Sequence, residues 1–86
     1  MERSTIIQDY CADIICCSWI NEKMLDNLLV AAGLVEDDIT KAGCDVLGKT
    51  VSELALYIGE NIAFCSRKIQ DDAYFLLIEL SCSTVH

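Results

Sequence analysis

The chain has 86 residues, of which 53% are apolar; it has no proline, four glycines and six cysteines, and its formal charge is −8. One modest core is all that length supports, so apolar content above the usual range of about 45–50% leaves surface for a partner or a second copy to cover. The turn residues are too few for a small β-sandwich, the six cations are too few and scattered to grip a phosphate backbone, and the longest uncharged run, nine residues from Asn27 to Val35, is far short of the roughly 20 a membrane span needs. The opening MERSTIIQDY lacks a long apolar segment and a cleavage site, so a cytoplasmic, reducing setting is expected, that of a host cell if the protein is viral.

Helical periodicity dominates. A first helix is predicted over 4–19, opened by the capping-box pattern Thr5-x-x-Gln8. Asn21 caps a second over 21–32, with Ile20 and Leu25 placed as a hydrophobic staple. Its apolar face is Met24, Leu25, Leu28, Leu29 and Ala32, and Gly33 fits a C-terminal stop. A weaker helix follows over 36–47, ending at Gly48. Thr50-x-x-Glu53 is the clearest capping box and opens a long helix over 50–68, with Val51, Leu54, Ile58, Ile62, Cys65 and Ile69 on one stripe. Gly59 lies inside that helix, where a glycine costs about 1 kcal/mol against alanine, so a close approach by a neighbouring helix is its expected use. Residues 73–78 are uncharged and would suit a buried strand, but no second strand exists to pair with it, so a helix over 71–82 is expected. The fold class is all-α, a compact bundle of four to five short helices in one domain spanning 1–86.

Eight of the fourteen acids (Glu2, Glu22, Glu36, Asp37, Asp38, Glu53, Asp71 and Asp72) fall at predicted helix starts, where the dipole favours them by about 0.3–1 kcal/mol each. Arg67 and Lys68 fall at a predicted helix end. Asp9 and Asp13 are one turn apart and mildly repel.

The stretch YCADIICCSWI holds three of the six cysteines. Zinc sites want cysteine pairs two to four residues apart, with thiolate or imidazole partners. Only Cys11 and Cys16 come near, and a helix sets them about 140° apart. The single histidine, His86, is the last residue. Disulfide frameworks belong to loop-rich small folds, which this chain is not. Cysteine as a small apolar core residue fits better: Ile7, Tyr10, Cys11, Ile14 and Cys17 share one helix face, and Cys65 lies on the Leu54–Ile58–Ile62 stripe. Cys16 departs from this. It groups with Ala12, Ile15 and Trp19 at i, i+3, i+4, i+7 spacing, a second apolar stripe beside the charged edge of Asp9 and Asp13. Such a helix is either central in the bundle or carries an interface. The interface is the favoured reading, so Ala12, Ile15, Cys16 and Trp19, flanked by Asp9 and Asp13, form the candidate partner-binding surface.

Catalytic chemistry is not legible. No base accompanies a cysteine, the paired carboxylates Asp37–Asp38 and Asp71–Asp72 read as helix starts, and Gly48-Lys49-Thr50, although Gly43 completes the spacing of a phosphate loop, is read as a helix stop followed by an N-cap. AAGLVEDDITKAG has the cadence of a helix-turn-helix, but the would-be recognition helix EDDITKAGCDV carries four acids and one lysine and would be repelled by DNA. No enzyme activity, cofactor or metal is expected. The function expected is a small acidic protein-interaction module that blocks or scaffolds a partner with a basic surface, as inhibitors, immunity proteins, antitoxins and phage anti-defence proteins do. A homodimer is also expected. The alternatives are an acidic nucleic-acid mimic filling a basic channel, and a redox- or metal-responsive protein working through Cys16 and Cys17.

Overall fold

The computed structural model describes residues 2–16, 20–40 and 49–79. Among them the fold is all-α, with four α-helices and no strand. None of these helices is long and apolar enough to cross a membrane.

α1 spans Arg3–Cys16. It starts before Thr5, and the first-turn bond runs from the Ile6 N–H to the Glu2 carbonyl at 3.1 Å. The expected Thr5–Gln8 box is therefore not the cap, and the Gln8 side chain instead donates to the Gly59 carbonyl. The predicted end at Trp19 lies outside the described residues. α2 spans Glu22–Thr40. Asn21 caps it as expected, its side-chain oxygen accepting from the Met24 N–H at 2.8 Å. Gly33 does not stop this helix. Leu28, Ala31, Ala32, Val35 and Glu36 are all buried at i, i+3, i+4, i+7, i+8 spacing, so one continuous buried face carries the helix through the glycine. The two helices expected over 21–32 and 36–47 are thus one up to Thr40, and residues 41–47 lie outside the described set.

α3 spans Val51–Asn61 and opens on the predicted capping box. The Glu53 N–H donates to Thr50 Oγ1 at 3.1 Å, and the Thr50 N–H donates to Glu53 Oε1 at 2.9 Å. The expected helix over 50–68 breaks early. A 3₁₀ turn at Ile62–Phe64 tightens its end, Cys65 and Ser66 turn extended, and α4 restarts over Arg67–Tyr74. Four hydrogen bonds hold the break. Ser66 Oγ accepts from the Ile69 N–H, the Asp38 carboxylate on α2 accepts from the Ser66 N–H at 2.8 Å, and Gln70 Nε2 donates to the carbonyls of Ile62 and Cys65. Orphaned carbonyls of one helix and N–H groups of the next are satisfied together. Arg67 and Lys68 therefore stand at a helix start, not at the predicted end. A π-helical turn over Phe75–Glu79 follows α4, so residues 73–78 are helical rather than strand, and residues 80–82 are outside the description.

The core is one apolar cluster. Ile7, Cys11 and Ile14 come from α1, and Leu28, Ala31, Ala32 and Val35 from α2. Leu54, Ala55 and Ile58 come from α3, and Ile62, Cys65, Ala73 and Leu77 from the segment after it. Cys65 and Ile69 still pack on the cluster although the helix expected to carry them is broken. Arg3 ties the last segment to α1. Its guanidinium pairs with Asp71 at 2.8 Å and lies 4.0 Å from the centre of the Tyr74 ring.

Candidate functional site

α1 packs closely on α3 where Gly59 faces Cys11. A Cβ placed on Gly59 would lie 3.5 Å from the Cys11 Cβ, an ordinary van der Waals distance. Above this contact the two helices leave an apolar groove of about 220 Å³. Cys11 and Gly59 lie at its base, Ala12 and Ile15 line it from α1, and Ala55 and Leu56 line it from α3. Ile15 is 39% exposed and Leu56 52% exposed. Gln8 and Glu60 complete the lining. The volume is below the roughly 300–1,000 Å³ of a typical small-molecule site, so the groove suits one or two inserted side chains better than a metabolite.

The stripe predicted from α1 is placed as follows. Ala12 and Ile15 enter the groove wall. Cys16 is exposed at the last residue of α1. Trp19 lies outside the described residues. Asp9 and Asp13 are exposed on the helix edge away from α3. The sequence reading did not find the α3 half of the groove. Two signals point to it: Leu56 is an apolar residue off the Leu54–Ile58–Ile62 stripe, and Gly59 is an expected point of helix approach.

The electrostatics are one-sided. Together α1 and α3 carry Asp9, Asp13, Glu53 and Glu60 against the single cation Arg3, which is paired with Asp71. Asp9, Asp13 and Glu60 form no ion pair among the described residues. Elsewhere some of the carboxylates are engaged. Asp38 holds Ser66, Asp72 pairs with Lys68 at 3.0 Å, and Glu36 is buried within α2. Of the eight acids expected at helix starts, only Glu2, Glu22 and Glu53 stand there. Glu36, Asp37 and Asp38 lie in the second half of α2, and Asp71 and Asp72 lie beyond the first turn of α4, because α2 runs on and α4 starts early.

Two of the described thiols, Cys11 and Cys65, are buried and fit packing, whereas Cys16 is exposed. Burial pushes the Cys11 thiol up to about 12. Burial, and then the nearby Asp38 carboxylate, push Cys65 up to about 11. Neither supplies a thiolate near neutral pH. No group of three or more metal-binding side chains occurs among the described residues. A larger hollow of about 520 Å³ lies among Glu2, Arg3, Arg67, Gln70 and Asp71, but its charges are mixed, and Arg3, Asp71 and Gln70 are already bonded to one another's helices or to the α3–α4 break. Comparison with protein-family models, curated proteins and solved structures finds no match to this chain.

Proposed function

We propose that the protein is a small acidic helical interaction module that acts by occupying and blocking, or scaffolding, a protein partner, and that its contact surface is the groove between α1 and α3. The observation that carries this is the exposure of Ile15 and Leu56 on either side of one apolar groove, an arrangement that gives contact energy without any catalytic group beside it. The carboxylates on both outer edges favour a partner with a basic surface, steering its approach. A second copy of the chain is the competing occupant, and it would set Asp9, Asp13 and Glu60 against like charges.

A nucleic-acid mimic is less well supported. Such a protein works through free carboxylates spaced like phosphates, whereas Asp38, Asp71 and Asp72 are bound to groups of this fold. Native mass spectrometry of the protein purified from its own cells, wild type beside Leu56→Asp, tests the proposal. A stoichiometric complex in the wild type that Leu56→Asp dissolves, with helicity unchanged, is the expected result. Monomer in both proteins would overturn it.

A further inference from the structure

Resting on that reading, we infer that the groove receives a cationic amphipathic helix of the partner, and that Gly59 is glycine to keep the floor open for its apolar anchor. Packing of α1 on α3 does not require a glycine at 59. A Cβ there would meet only the Cys11 Cβ, at 3.5 Å, which the interface tolerates. Cys11 and Gly59 both line the groove, so a Cβ set between them would take up part of its floor. What glycine provides at this position is therefore depth for an incoming side chain.

The occupant follows from shape and charge. A groove between two helices, with apolar walls at Ala12, Ile15 and Leu56, accepts the apolar face of a third helix through anchors at i, i+3, i+4 and i+7 spacing. The edges beyond those walls carry Asp9 and Asp13 on one side and Glu60 on the other. Lysine or arginine flanking the anchors would meet carboxylates on both sides. A second copy of this chain would bring α1 or α3, with four acids and one cation between them, onto the same acids.

The experiment titrates two synthetic helical peptides of roughly four turns into isotope-labelled protein at about 0.15 M salt and follows the amide resonances. Both peptides present leucines along one face. The other positions are lysine and alanine in one, glutamate and alanine in its twin. The expected result is that only the lysine peptide binds and that it shifts the amides of Gln8, Ala12, Ile15, Leu56 and Gly59. Leu56→Asp should then weaken binding by about tenfold, and Gly59→Ala by about threefold or more. Gly33→Ala, remote from the groove, should leave affinity unchanged. Shifts confined to another face, equal binding of the glutamate peptide, or full affinity in Gly59→Ala would overturn the inference. So would a complex that depends on Leu56 in native mass spectrometry while neither peptide binds. That result rejects the cationic helix and keeps the interaction module. Monomer in wild type and Leu56→Asp alike rejects the module itself.

Discussion

Gly33→Ala separates two structures that the same sequence permits, because they give opposite signs. If residue 33 ended a helix in the left-handed conformation, as its position after Ala32 suggests, a Cβ would cost about 1–2 kcal/mol. In the fold it lies inside α2, seven residues before Thr40, with helical neighbours on both sides. A Cβ built there has nothing within 4 Å, so alanine adds no clash and no new contact. What remains is the backbone term: alanine is favoured over glycine in a helix interior, and a compatible site returns about 0.4–1 kcal/mol of stability. For a domain of this size that raises the melting temperature by roughly 2–8 °C. Urea unfolding followed by far-ultraviolet circular dichroism measures it. The midpoint should rise while the slope stays that of the wild type, since the surface exposed on unfolding is unchanged. A lower midpoint at equal slope would mean that α2 does not run through Gly33, and the single long helix would have to be given up.

Removing the α3 cap with Thr50→Ala should cost about 1 kcal/mol in the same assay. The hydrogen bond from the Thr50 N–H, and then that from its side chain, hold the Glu53 carboxyl below its ordinary value of 4.5. The contribution of Glu53 is thus present above pH 4.5 and is lost as pH falls through the lower folded value, so Glu53→Gln should flatten the acid limb of the stability curve. The buried thiols act at the other end. Below pH 9 the Cys11 and Cys65 terms are constant; above it the unfolded thiols ionise first, so stability should fall toward pH 11–12, and less so in Cys11→Ala. In native protein an alkylating reagent should label Cys16 and spare Cys11 and Cys65 until the chain unfolds, as peptide mapping by mass spectrometry would show.

The elements most legible in the sequence were those fixed by local chemistry. Asn21 and the Thr50–Glu53 box act through bonds to backbone three residues away, and both stand where the residues alone place them. The helix junctions were misread because tertiary contacts decide them. Gly33 weakens a helix by its own propensity, but four buried apolar neighbours outweigh one glycine. Between Ile62 and Arg67 the apolar stripe continues through Cys65 and Ile69, which hides the break. The signal there was Ser66 as an N-cap, and the bonds from Gln70 and to Asp38 that complete the break span 8 and 28 residues, which periodicity cannot see. Half of the candidate groove was readable from α1 by the same logic. Its other half needed the pairing of α1 with α3, and only the antagonism between a mid-helix glycine and its propensity cost hinted at residue 59.

The acids carry the same lesson into a test. Read from the sequence, Asp38 stabilises the fold as a helix-start acid, while Asp13 repels Asp9 one turn away. The structure moves Asp38 to the second half of α2, where it holds Ser66, and leaves Asp13 beside Asp9, so the same substitution should have two signs. Asp38→Asn removes the charge that holds the Ser66 N–H and faces the positive end of α4, and should cost about 0.3–1 kcal/mol. Asp13→Asn removes one member of the like-charged Asp9–Asp13 pair at i, i+4 spacing, with no ion-paired cation lost among the described residues, and should gain about 0.2–0.5 kcal/mol. Paired urea midpoints at low salt measure both, and added salt should shrink the Asp13 gain. If Asp13→Asn instead destabilised the protein, its carboxylate would be holding the fold together and could not be a free edge charge of the groove. If it stabilised, the chain keeps on that edge a charge that weakens its own folding, and the acidic border belongs with what the groove binds.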